Sequence, residues 1–378
     1  MRENAHRRSR RTLTLAVTAA VVLAGGAVGA WAGGLVRSAD RPAAVAKPAK
    51  KAAPIWVAGA AKNVVAVHAA AKPVVRHSAT KPVAAKPRHK AKPATHVARK
   101  LATSPPPVDL CAKAGSVSLG GVDVPIWGFA LLGTAPSCDD PSVVPSLPGP
   151  QLDVNAGDTL TVNITNAIAG ETISIETPGA TLGGDTDAAT GETISLTLSG
   201  GEGTYIYESS GDAGRQTAMG LYGAFVVHSG TPGTADGVAV DAEQTLVLSE
   251  VDTNFNADPL GFDMNNWHPQ WWLVNGKSYP GTDTIDVTAG ERVLLRWANA
   301  GSDNHTMSTL GLHQRLLARD GSLLPAPVDA VSETFPSGGT ADGVVTVPAG
   351  AARGDRFPVY NRNMDLGQTF FLRLPTED

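Results

Sequence analysis

After Val108, apolar and polar residues alternate with period two in a series of short runs. "QLDV" (151–154), "TLTVNITN" (159–166), "TISIET" (172–177), "ETISLTLS" (192–199) and "GTYIYES" (203–209) each place every second side chain on one face. Successive side chains of an extended chain point to opposite sides, so these runs predict half-buried β-strands. Gly, Pro and Asp punctuate them, and no amphipathic helical stretch of useful length intervenes. The pattern predicts an all-β sandwich.

A repeat doubles that prediction. "DVNAGDTLTVNITNA" (Asp153–Ala167) matches "DVTAGERVLLRWANA" (Asp286–Ala300) at six of fifteen positions. Both turn at Ala-Gly-acid and then run apolar at alternate positions: Leu160, Val162 and Ile164 in one copy, Val293, Leu295 and Trp297 in the other. A sandwich needs those side chains facing inward to close its core. The repeat predicts two tandem domains, 108–235 and 236–378, joined near His228–Gly237. Each is large enough to bury a core of its own.

Before Val108 the pattern is different. Thr12–Val36 follows the basic "MRENAHRRSRR" without a single charge and ends in small residues. Residues 1–36 therefore read as an export segment, either a signal cleaved after Ala30 or Ala32 or a retained membrane anchor. The charge order places the remainder outside the cell membrane. "SRRTLTL" resembles a twin-arginine export signal, with an ordinary arginine-rich signal as the alternative. Residues 37–107, mostly Ala, Lys, Pro and Val, have closely spaced prolines that prevent continuous helix and no large side chains to build a core. They read as a disordered basic linker.

Charge sharpens this division. The formal net charge of -4 hides that residues 1–100 hold twenty of the 31 Lys and Arg but two of the 35 Asp and Glu. The rest, with 11 basic and 33 acidic side chains, is strongly acidic. The linker is expected to act as a spacer or to adhere to an anionic cell-wall polymer or membrane surface. Nucleic acid is set aside, because an exported chain rarely meets it. Cys111 and Cys138 are the only cysteines, and in an exported chain they are expected to form a disulfide. Two thiols cannot complete a four-thiolate zinc or iron–sulfur site.

Longer motifs now carry a family likeness. "LPGPQLDVNAGDTLTVNITN" (147–166) and "GTYIYESSGDAGRQTAMGLYGAFVV" (203–227) resemble the first domain of a multicopper oxidase. "ERVLLRWANAGSDNHTMSTLGLHQRLLARDG" (291–321) and "ETFPSGGTADGVVTVPAG" (333–350) resemble a later one. The resemblance implies tandem cupredoxin-like Greek-key sandwiches. It also implies a blue copper and a three-copper cluster, which need imidazole and thiolate ligands. Carried over one at a time, the family's first His-x-His pair falls on Glu176 and Pro178, and its second on Glu208 and Ser210. The His-x-x-His-x-His motif falls on His305, Ser308 and Leu310, and the late His-Cys-His motif on Tyr360, Asn361 and Arg362. Only His305 keeps a ligand's identity. In three-domain relatives the middle domain lacks these ligands anyway, so the chain is also compatible with a first and second domain without a third.

Other candidates are weighed against plain structural roles. Glu176 and Glu208 either approach each other, sharing a proton or holding a cation with Ser210, or stand solvated or paired with Arg215. His305 and His313 are expected to be ordinary packed or surface histidines. His68, His77, His89 and His96 lack ligand spacing. His268, amid Trp267, Trp271 and Trp272, sits in a cluster that suits a domain interface better than a sugar-stacking platform. "GGDTD" (183–187) lacks the later ligands of a calcium loop and reads as a turn. No hydrolytic or phosphate-binding motif occurs. The expectation is a degenerate, copper-free relative acting in the cell envelope as a binding or structural module, with no cofactor and an unidentified protein as a further partner. The alternative is a copper-dependent oxidoreductase that uses an unrecognised site or a partner subunit.

Overall fold

The computed structural model describes residues 105–363 and 367–376, all within one compact unit of the chain. The export segment, and the linker up to residue 104, lie outside the described residues. Among the described residues no helix is long and apolar enough to cross a membrane.

Two β-sandwiches stand in tandem. The first packs a sheet ordered Val122–Leu131, Val108–Leu119, Leu160–Asn166, Thr193–Ser199, Thr181–Gly184. Its facing sheet runs Leu152–Asn155, Tyr222–His228, Gly203–Ser209, Ile173–Glu176, Asp187–Ala188. The second sandwich repeats the plan. Its six-stranded sheet runs Trp271–Val274, Ala242–Val251, Arg292–Asn299, Thr340–Thr346, Gln314–Arg319, Ser322–Ala330. Its five-stranded sheet runs Thr284–Asp286, Thr369–Arg373, Arg356–Asn361, His305–Thr309, Ser332–Phe335. The repeated sequences occupy the same place in each copy, as strands Leu160–Asn166 and Arg292–Asn299. Each pairs in parallel with the first strand of its sandwich.

The alternation found in the sequence builds the two cores. Leu160, Val162 and Ile164 face Tyr205, Tyr207 and Phe225. Val293, Leu295 and Trp297 face Phe335 and Phe370, with Trp297 stacked on Phe335 at 5.1 Å. Each side chain so buried contributes roughly 1.5–3 kcal/mol. Cys111 and Cys138 form a disulfide, with Cα atoms 5.6 Å apart.

A third core lies between the sandwiches. Ile206, Ala224 and Val226, on the outer face of the first sandwich, pack against Val247, Val251, Leu273 and Ala298 of the second. Strands Gly203–Ser209 and Tyr222–His228 are accordingly buried on both faces. Trp271 joins this interface, its ring over Gly120. Trp267 instead packs edge-on against Phe255 at 5.3 Å, and His268 is exposed. The tryptophans thus do not form one platform. The reading of Gly183–Asp187 as a turn needs correction. Gly183 and Gly184 end strand Thr181–Gly184, and the chain then crosses to the opposite sheet at Asp187–Ala188. Gly183 pairs with Thr197 and Gly184 with Leu196, and Gly184 takes a φ of 100° where a side chain would strike the Ser195 carbonyl.

Candidate functional site

In the first sandwich, antiparallel pairing sets Glu176 directly opposite Glu208. Ile175, one residue earlier, fills the core, so alternation sends both glutamates to the other face. Burial, and then the charge of Glu176, push the Glu208 carboxyl up to about 7, against a hydrogen bond from Thr217. Arg215 is not their partner, since it pairs with Asp212 at 2.6 Å. Pro178 is exposed in a turn, and the backbone N–H of Ser210 donates to the Ser174 carbonyl at 3.0 Å. Of the four positions, the structure brings the two carboxylates together as cross-strand neighbours.

In the second sandwich His305 is fully buried at the start of strand His305–Thr309. Its Nε2 meets Glu250 at 3.0 Å and its Nδ1 meets the Asn361 amide nitrogen at 3.1 Å. That amide nitrogen also donates to Gln368 Oε1 at 2.7 Å, while Asn361 Oδ1 accepts from the Asn363 N–H at 2.9 Å. The amide orientation is therefore fixed, Nδ1 accepts, and Nε2 carries the hydrogen given to Glu250. Glu250 further accepts from the backbone N–H groups of Ser302 and Asp303. Ser308 Oγ donates to the Val331 carbonyl at 2.8 Å, and Ser308 lies opposite Tyr360. Leu310 is 56% exposed, and Arg362 and His313 are also exposed, so His305 and His313 form no pair.

These donors do not suit copper. A ligating imidazole must offer a nitrogen lone pair, and both nitrogens of His305 are committed to protein hydrogen bonds. Proline, leucine and arginine offer no donor at positions 178, 310 and 362. Among the described residues no group of three or more His, Cys, Asp or Glu side chains is placed to hold a metal ion.

Residues 142–232 match the family described as multicopper oxidase. The chain is multicopper-oxidase-like. No curated protein sequence matches it. The solved structure of the blue copper oxidase from Nitrosomonas europaea aligns with a TM-score of 0.60 at 20% identity, over 70% of this chain and 85% of that one. The copper nitrite reductase from the same organism aligns at 0.57 and 20%, over 70% and 92%. A multi-copper oxidase from Pseudomonas thermotolerans aligns at 0.57 and 21%, over 71% and 64%. At such identities the structures share the cupredoxin fold with this oxidase-like chain.

One polar cluster of the multicopper-oxidase-like chain escaped the sequence reading. Leu295 and Trp297 point into the second core, so Arg296 must point outward, where the first sandwich buries it to 1% exposure. Arg296 donates to Asp342 at 3.2 Å and to Glu243 at 3.1 Å. Thr204 of the first sandwich donates to Asp342 at 2.5 Å. Glu243 then meets His228 at 3.1 Å, and His228 meets Asp153 at 2.8 Å. Burial opposes the charge on His228, but the bonds to Asp153 and Glu243 outweigh it and lift the imidazole to about 9. Glu243 is likewise raised by burial yet carried down to about 2 by His228 and Arg296. Asp153, His228 and Glu243 also line a cleft of about 710 Å³ walled by Pro105, Leu131 and the inter-domain linker. The available signal was the charged residue at the outward position of "LLRWA".

Proposed function

We propose that this chain is an exported, copper-free multicopper-oxidase-like protein of the cell envelope, working as a binding or structural module. The observation that supports this reading best is His305, the one family ligand retained, whose two ring nitrogens are engaged by Glu250 and Asn361. A reorganised hydrogen-bond network at this position favours a scaffold kept for its shape and surface. The Cys111–Cys138 disulfide accords with an oxidising compartment outside the cytoplasm. The basic residues of the 37–107 linker supply the charge to adhere to an anionic wall polymer or membrane surface.

The full-length protein incubated with Cu(II) is expected to show no intense blue absorption and no oxidation of phenols or metal ions. A blue band or turnover would overturn the proposal in favour of a copper-dependent oxidoreductase using an unrecognised site or a partner subunit. Sedimentation with anionic wall polymer is expected to retain the full chain and to lose it when the basic linker is neutralised by Lys/Arg→Gln substitution.

A further inference from the structure

The hexapeptide Gly-Thr-Ala-Asp-Gly-Val occurs twice, at 233–238 in the linker and at 339–344 in the second sandwich. In the strand copy, Asp342 holds Arg296. In the linker copy, Thr234–Ala235 and Val238–Ala239 form a hairpin whose two-residue turn, Asp236–Gly237, has φ of 51° and 73°. This is the mirror-image turn that Asp-Gly favours. Ala235 anchors it on Leu294, Leu317 and Val344 of the second sandwich, and the Asp236 N–H donates to Glu202 of the first at 2.7 Å. The turn therefore touches both domains. Its carboxyl is placed badly for an ion: both Asp236 oxygens are buried without a hydrogen-bond partner.

The groups around it make this worse. Facing Asp236 are Glu202, Asp342 and Arg296, with Tyr205 also within reach of its charge. Glu243, His228 and Asp153 continue the same network, and Thr204 supplies its hydroxyl to Asp342. Five carboxyls thus share two cationic groups, both engaged by the other acids. A buried carboxyl with no donor and like charges beside it favours its neutral form.

We propose that the joint between the sandwiches is proton-gated: the Asp236–Gly237 turn sits firmly on both domains only while Asp236 carries a proton, and its ionisation loosens the linker that walls the cleft. Burial first, then Asp342 and Glu202, raise this carboxyl from its ordinary 3.8 to about 7 against the pull of Arg296. With the turn released into water, the proton leaves near the ordinary value. The seated form therefore loses stability as pH climbs from about 4 to about 7, by up to about tenfold per pH unit, and no further above that window. His228 stays charged throughout, so it does not produce this change. Thr231, Gly233, Thr234 and Val240 line the cleft, so release of the turn alters its wall.

Hydrogen exchange on the full-length protein, corrected for the intrinsic pH dependence of the exchange rate, tests this. Amide protection across residues 233–240 should fall at least about tenfold between pH 4.5 and 7.5. Asp236→Asn keeps the left-handed turn conformation without the charge and should hold its protection across that range. Glu202→Gln should keep the acceptor for the Asp236 N–H while shrinking the pH-dependent loss severalfold. The proposal is overturned by flat wild-type protection or by an Asp236→Asn profile that falls like the wild type. Should that variant not fold, an undiminished loss in Glu202→Gln overturns it as well.

Discussion

Glu208 lies directly across the antiparallel pair from Glu176, and the nearer presence of that second carboxyl reinforces the effect of burial on its own. Its carboxyl rises from 4.5 to about 7, so the folded state is penalised progressively as pH climbs through that window. Glu208→Gln should match the wild type at pH 4 and exceed its stability at pH 8 by about 1–2 kcal/mol, after allowing for solvent screening. Urea unfolding at the two pH values measures this. Equal differences at both would show that the pair is not coupled to folding.

His228 works in the opposite sense. Its imidazole is held charged up to about 9 from an ordinary 6.5, so its stabilisation is complete below pH 6.5 and is lost as pH rises to 9. His228→Gln should be less stable than the wild type by about 1–2 kcal/mol at pH 6, with the gap closing by pH 9.5. NMR titration of the imidazole checks the underlying shift directly, and a midpoint near 6.5 would contradict it.

His305 and Glu250 are both fully buried and meet at 3.0 Å. His305→Leu leaves Glu250 with two backbone donors and an unmatched oxygen, at an expected cost of about 3–5 kcal/mol. The double change His305→Leu, Glu250→Leu should recover part of that loss, because neither polar group then remains stranded. Denaturant unfolding of the three variants gives the coupling. Additive single effects would mean the two side chains act independently.

Gly120 has a φ of 59°, and a side chain there would meet the Trp271 ring at 2.3 Å. Gly120→Ala should therefore cost about 1–3 kcal/mol through backbone strain and a displaced ring. Its tryptophan fluorescence should shift toward that of solvated indole. Trp271→Ala, combined with it, should remove the part of the penalty due to the ring and leave the backbone strain.

The Cys111–Cys138 bridge closes a loop across 27 residues. Replacing both cysteines by serine should lower stability by about 3 kcal/mol, chiefly by freeing the unfolded chain. Thermal unfolding with and without reductant, wild type against the double variant, separates the bridge from the polarity of the new side chains.

Much of this molecule was readable from local pattern. Strands "TLTVNITN" and "ETISLTLS" formed where alternation placed them, because period two dictates which side chains leave the same face of an extended backbone. Leu160, Val162 and Ile164 entered the core for that reason. The pairing of Glu176 with Glu208 needed the register of strands more than thirty residues apart, so the sequence offered it as one of two alternatives. His305 was expected to be ordinarily packed, and it is packed; its partners Glu250 and Asn361 lie 55 and 56 residues away, beyond any spacing rule.

Alone, the sequence determined the all-β plan, its duplication and the disulfide, since each depends on residue type and short-range periodicity. Tertiary structure decided the fate of the outward faces. Alternation marks Arg296 only as pointing away from one core; stacking of the second sandwich on the first turned that direction into a buried one and forced its charge to find Asp342 and Glu243. A strand specifies two sides, and only the packing of whole domains determines whether the second side meets water or protein.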